Sequence, residues 1–295
     1  MSDFQGIFPA IISPVTSEGR LNEAAFREVI EFNIQAGVQG FWVAGGTGES
    51  ILLGDEVNQR IAEVVEDQSR GRVKNIMHVG APSTARSLAL AEHAATVGVE
   101  AICCVPPFFY GRTDEEIIAF YRTVAAAADL PLFVYNLPSA TGVEITPALM
   151  RKIRDEVPQL AGLKHSAQTF GNVHAFVKLG LSCLIGNNAL MLPAMTIGAT
   201  GCVDGPPGIV PERWVEIWQA YKSGDLAAAE AAQKRACQTW DTISSCGGQF
   251  HAIAKTALSE RLGIDCGSPI PPGLPLTVEQ RETLRQRLEE LGLIH

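Results

Sequence analysis

From the N-terminus to about residue 223, compact apolar runs bounded by Gly or Pro alternate with segments of helical periodicity. Eight runs read as strands: 7–13, 40–45, 75–81, 101–107, 131–138, 160–167, 181–187 and the short 201–205. The intervening segments carry helix signals. Asn22 opens one with Phe26, Val29, Ile30 and Ile34 on a single face, closed by Gly37; Thr113 and Glu116 form a capping box. Thr146 precedes Pro147 at a first helical position, and Pro211 opens a face of Trp214, Ile217, Trp218 and Tyr221. Eight strands alternating with helices predict parallel pairing and a (β/α)8 TIM barrel over 1–223, with an open doubly wound sheet as the competing architecture.

Beyond residue 223 the alternation stops. An alanine-rich helix is predicted over 225–240 and another over 249–262, and Thr277 with Gln280 caps an amphipathic helix carrying Leu284, Leu288 and Leu291. The predicted organisation is a barrel catalytic domain, 1–223, followed by a C-terminal three-helix extension, 224–295, with the Pro-rich stretch 268–275 as a rigid connector.

A chain of 295 residues, 46% hydrophobic, can bury one large core. Its net charge of −9 and lack of a basic run argue against a nucleic-acid partner. No apolar run approaches the ~18 residues of a membrane span, and the N-terminus lacks the regions of a signal peptide, so a cytoplasmic location is expected. Seven cysteines without a Cys-x-x-Cys pair give no disulfide framework and no zinc signature, and adjacent Cys103 and Cys104 read as small buried groups on opposite strand faces. His78 and His165 on predicted strands read as satisfied core or rim histidines, so no metal is expected.

Candidate chemistry sits at the carboxyl ends of the strands, where barrels of this kind build their sites. Lys164 is the one charged residue certain to be so in an otherwise apolar run, Leu160 to Ala167. Lysines at strand ends commonly reach solvent. A partly desolvated lysine, however, gives up its proton more readily, and its neutral amine attacks carbonyl carbon. The second strand ends in Gly45-Gly46-Thr47-Gly48-Glu49 and the fifth in Tyr135-Asn136-Leu137-Pro138. Strand alternation puts Phe133 with Tyr135, and Gly162 with Lys164; if both faces point inward, ammonium and phenol converge. A lysine that forms an iminium with a 2-oxo acid, a phenol that moves protons, and glycine-rich amides with a threonine hydroxyl for the carboxylate make one coherent set, needing no cofactor.

These residues resemble the dihydrodipicolinate synthase/N-acetylneuraminate lyase family of class I, pyruvate-dependent aldolases. The most specific pieces are Gly-x-Thr-Gly-Glu at 45–49, Tyr-Asn-x-Pro with Thr141-Gly142 beyond it, and Gly162-Leu163-Lys164. The resemblance implies a Schiff-base lysine at Lys164, a proton-relay tyrosine at Tyr135, and a pyruvate carboxylate held by Thr47 and the Gly46 amide. It also implies a pocket lined by Gly186 and the Val203 backbone, and a homotetramer.

Departures from that pattern fall in the acceptor half and, at Gly46, in the hydroxyls of the proton relay. The synthase branch has an arginine where this chain has Ala140, and a tyrosine reaching from a neighbouring subunit where it has Phe109, with Tyr110 beside it. Gly46 replaces the usual Thr or Ser before Thr47. The Asp-Glu pair of the lyase branch aligns with Asn188-Ala189, and its serine with Gly205. The expectation is therefore a class I aldolase or lyase that forms a Schiff base with pyruvate or another 2-oxo acid, its acceptor not being aspartate semialdehyde. The alternatives are 4-hydroxy-tetrahydrodipicolinate synthase itself, with Arg112 replacing the missing arginine; a 2-oxo acid dehydratase or deaminase; a catalytically silent pyruvate-binding sensor; and a barrel enzyme binding phosphate on Gly186 and the glycines at 205–208.

Overall fold

The computed structural model describes residues 4–294; Met1 to Asp3 and His295, the outer ends of the two predicted segments, lie outside them. Its strands are β1 (Gly6–Ile7), β2 (Gly40–Val43), β3 (Lys74–His78), β4 (Ala101–Cys104), β5 (Leu132–Asn136), β6 (Leu160–His165), β7 (Ser182–Ile185) and β8 (Gly201–Cys202). The helices are α1 (Glu23–Gln35), α2 (Asp55–Ser69), α3 (Thr84–Val97), α4 (Asp114–Ala128), α5 (Pro138–Thr141), α6 (Pro147–Glu156), α7 (Asn172–Lys178), α8 (Met191–Thr196), α9 (Pro211–Lys222), α10 (Leu226–Ser244), α11 (Phe250–Leu262) and α12 (Val278–Glu290).

All ladders are parallel, in the order β1-β8-β7-β6-β5-β4-β3-β2. The ends of that order meet. Gln39 N–H donates to the Ile7 carbonyl at 3.0 Å and Trp42 N–H to the Pro9 carbonyl at 2.9 Å, so β1 and β2 close the sheet into a (β/α)8 barrel and the open-sheet alternative falls away.

Strands buried on both faces explain why their sequences read as nearly continuous apolar runs. Phe8, Trp42, Ile76, Cys103, Phe133 and Leu184 fill the barrel interior as a cluster of their own. Val43, Met77, Ile102, Cys104, Val134 and Cys183 face outward into the core shared with the helices. Cys103 and Cys104 thus point to opposite faces, and all seven cysteines are free thiols. Gly162 makes room for this interior: a Cβ there would stand 2.5 Å from the Phe133 ring and 2.3 Å from the Ser182 carbonyl oxygen.

Helix ends follow their capping chemistry. The Asn22 side chain accepts from Ala25 N–H, and reciprocal capping boxes close Thr113 with Glu116 and Thr277 with Gln280. Ala232, Ala236 and Ile243 of α10 and Leu284 and Leu288 of α12 belong to the same apolar cluster as the outer barrel face, so the C-terminal helices are packed onto it. The strand-end loops coil into short pieces that no sequence periodicity announces: α5, α8 and 3₁₀ turns at Ser50–Leu52, Asn188–Leu190 and Pro206–Gly208. Among the described residues no helix is long and apolar enough to cross a membrane.

Candidate active site

Tyr135 and Lys164 are register partners on neighbouring strands β5 and β6, and period-2 alternation turns both into the barrel mouth. The Lys164 Nζ lies 4.4 Å from the centre of the Tyr135 ring and 5.5 Å from that of Trp42, within the range of cation–π attraction. Lys164 is 4% exposed, and among the described residues no carboxylate pairs with it. A buried ammonium resting on aromatic faces without a counter-ion is a costly arrangement for a merely structural lysine. Trp42 and His78 meet the Tyr135 ring edge-on, at 5.4 Å and 6.2 Å between centroids, which fixes the phenol's direction. The phenol points to the β2 loop, since a Cβ on Gly46 would lie 3.8 Å from its oxygen.

That loop is held in unusual backbone geometry. Ala44 and Glu49, neither a glycine, take φ of 51° and 55° on either side of Gly45 to Gly48, a conformation that persists only where surrounding contacts enforce it. The contacts come from α11 and the stretch that joins it to α12. The buried Glu49 carboxylate accepts from Ile270 N–H at 2.7 Å and pairs with the wholly buried Lys255 at 2.6 Å, while Lys255 also donates to the Ser268 carbonyl at 2.9 Å. His251 of α11 lies with Nε2 2.9 Å from the Gly46 carbonyl oxygen; a carbonyl only accepts, so Nε2 carries the proton. Within the loop the Gly46 and Thr47 amides and the Thr47 hydroxyl meet no acceptor among the described residues, and Gly46 lies beside the phenol.

The Tyr-Asn-x-Pro stretch supplies scaffolding. Asn136 clasps the backbone of Ile145 through both amide atoms, at 3.1 and 3.0 Å, and lies 3.2 Å from His165 Nδ1. His165 Nε2 lies 3.1 Å from the Thr169 carbonyl, so this histidine is satisfied as its sequence context predicts. His78 departs from that expectation. Its Nδ1 lies 3.4 Å from the Ser50 hydroxyl, but its buried Nε2 has no partner. Burial, then the nearby Lys164 charge, pushes its pKa down from 6.5 to about 4.

Beside the Tyr135 hydroxyl opens a cavity of about 210 Å³, lined by Ile51, His78, Val105, Phe108, Leu137 and Ala140 among others. Ala140 sits on α5, exposed to it. Arg112 is not brought there: it pairs with Glu116 at 3.4 Å and lines a separate cavity with Pro82, Pro107 and Phe120. Phe109 and Tyr110 stand in solvent, 85% and 66% exposed, as an edge-to-face pair at 5.0 Å, with Phe109 at φ 76°. Phe108, which the sequence reading did not single out, faces the cavity instead.

At the last two strands, Val203 is buried in the interior cluster with Tyr135, and Gly186 closes over Ser166, whose hydroxyl would stand 1.9 Å from a Cβ there. The loop donors near them are already engaged. The Asp204 carboxylate accepts from Gly205 N–H, Asn188 N–H and the Asn188 amide at 2.8 to 2.9 Å, so these donors are not free for an incoming phosphate. Phe250 fills the space over Gly205, its ring 2.1 Å from a Cβ placed there. Among the described residues no three His, Cys, Asp or Glu side chains cluster as metal ligands.

The profile of the Dihydrodipicolinate synthetase family matches residues 3–291. A 4-hydroxy-tetrahydrodipicolinate synthase of Methanopyrus kandleri is 30% identical over 98% of this chain and 97% of its own. An uncharacterized DapA-like lyase of Halobacterium salinarum is 32% identical over 98% of this chain and 94% of its own. Among solved structures, the wild-type sialic acid aldolase of Ruminococcus gnavus superposes with a TM-score of 0.92 at 25% identity, covering 99% of this chain and 98% of that one. A match along the whole chain, on a closed barrel with lysine and tyrosine side by side at its mouth, makes this protein a member of the dihydrodipicolinate synthetase family.

Proposed function

We propose that this chain is a lyase of the class I aldolase type, forming a Schiff base between Lys164 and pyruvate or another 2-oxo acid and making or breaking a carbon–carbon bond next to it. The observation that carries the reading is the Lys164 ammonium, buried without a counter-ion and resting 4.4 Å from the centre of the Tyr135 ring. The neutral amine adds to the ketone carbon, and the carbinolamine loses its hydroxyl as water with a proton delivered by Tyr135. The resulting iminium accepts the electron pair of a C3–H bond while the Tyr135 phenolate left by the preceding step takes the proton, giving an enamine and restoring the phenol. The Thr47 hydroxyl and the Gly46 and Thr47 amides would hold the substrate carboxylate, as unpaired donors do for anions. Gly186 and Val203 complete the wall.

Ala140 supports an acceptor other than aspartate semialdehyde, because it offers no cation to a second carboxylate and Arg112 points elsewhere. The exposed Phe109 and Tyr110 pair fits a homotetramer in which it meets a neighbouring protomer. Borohydride reduction in the presence of pyruvate tests the central step. Peptide mapping is expected to find the reduced adduct on Lys164, with none in Lys164→Ala; an adduct elsewhere, or none, would sink the proposal.

A further inference from the structure

We infer that the second reactant taken beside the Schiff base is an aldehyde with an uncharged, apolar substituent, seated in the cavity between α5 and the Ser50–Leu52 turn. This rests on the lyase reading above and goes beyond it by naming the acceptor's chemistry. Four apolar side chains, Ile51, Val105, Phe108 and Leu137, dominate the lining, and no Lys, Arg, Asp or Glu lines it. Its titratable base, His78, is held neutral by burial and by Lys164, with a pKa pushed down to about 4, so it offers no charge to a carboxylate. Apart from the Tyr135 phenol, the hydroxyls of the lining are engaged within the protein. Ser50 lies 3.4 Å from His78 Nδ1, and Thr141 donates to the Leu137 carbonyl at 3.0 Å while accepting from Val143 N–H.

A polyhydroxylated acceptor would therefore lose most of its water hydrogen bonds, with only His78 Nε2 and the Tyr135 hydroxyl to replace them, and a carboxylated one would be desolvated without a cation. An apolar group loses nothing and removes the cavity wall from water. At about 30 Å³ for each water displaced, the 210 Å³ cavity holds about seven small atoms, the size of a phenyl or branched alkyl group. Ile51, 43% exposed, extends the apolar surface to the rim. In the condensation direction the enamine C3 forms a bond to the aldehyde carbon, the carbonyl π pair moves to oxygen, and that oxygen takes a proton from Tyr135. Cleavage reverses each movement.

The test uses the full-length protein saturated with pyruvate, comparing kcat/KM for benzaldehyde, succinic semialdehyde and glyceraldehyde, with borohydride trapping run alongside. Benzaldehyde is expected to exceed each of the others at least tenfold. Ala140→Arg, at an exposed position that tolerates the longer side chain, is expected to narrow the gap to succinic semialdehyde by about tenfold. Trapping on Lys164 with no benzaldehyde turnover, or with preference for either polar aldehyde, overturns the inference and leaves the Schiff-base reading standing. Absence of trapping on Lys164 overturns both.

Discussion

Replacing Lys255 by Met removes an ammonium from a wholly buried pair while roughly keeping its volume. The Glu49 carboxylate would keep the Ile270 N–H at 2.7 Å and lose its charge partner at 2.6 Å. Breaking a buried pair by removing one member costs about 3–5 kcal/mol, because the other charge stays desolvated. Against a total stability of about 5–15 kcal/mol, that is a large share. Urea unfolding followed by both tryptophan fluorescence and far-UV circular dichroism would measure it. The double variant Glu49→Gln with Lys255→Met removes both charges and is expected to recover at least half of the loss. The strained backbone at Glu49 gives a second readout: pyruvate trapping by Lys255→Met should weaken even where the protein remains folded, since the loop amides lose their brace. A loss below about 1 kcal/mol, together with unchanged trapping, would refute the idea that this pair sets the loop.

Tyr135→Phe should lower turnover roughly 10²-fold or more with a smaller effect on pyruvate affinity, the pattern of a lost proton relay; equal loss in both would reassign the residue to packing. His251→Phe deletes the N–H that meets the Gly46 carbonyl at 2.9 Å and should raise the KM for pyruvate with little change in kcat, whereas a fall in kcat alone would contradict a loop-positioning role. His78, with a pKa near 6.5 unfolded and about 4 folded, contributes stability present above pH 6.5 and lost as pH falls toward 4, because only the unfolded chain takes up the proton in that window. At about pH 5 the loss is ~2 kcal/mol, and unfolding of His78→Asn compared between about pH 7.5 and pH 5 should lack that component.

The barrel was legible because its strands are buried on both faces and its helices announce themselves with caps, as at Thr113, Thr146 and Thr277. Closure was not, since β1 and β2 are joined by backbone hydrogen bonds that no side-chain pattern encodes. Lys164 and Tyr135 could be paired from the period of two, which survives folding unchanged. Glu49 was visible as the last residue of a glycine-rich motif, yet its partners were hidden: Ile270 lies 221 residues away, and the His251 contact to Gly46 spans 205. Pairings of that range are set by the packing of α11 against the barrel mouth and leave no local trace. His78 was misread as satisfied because its strand context matches that of His165, while its unpaired nitrogen depends on which side of the barrel it faces.

The reach of the C-terminal segment back to the β2 loop also orders events on the ribosome. All eight strands have been made once Cys202 is added, but the partners of Glu49 arrive with Lys255 and Ile270. At about 5–20 residues per second, the 68 residues from Cys202 to Ile270 take roughly 3 to 14 s. During that interval the nascent barrel carries its lysine and phenol while the β2 loop lacks the Lys255 and Ile270 contacts that brace Glu49. The same dependence makes residues 250–270 a place where a nonsense codon or a proteolytic nick would leave a complete set of strands and an unset site.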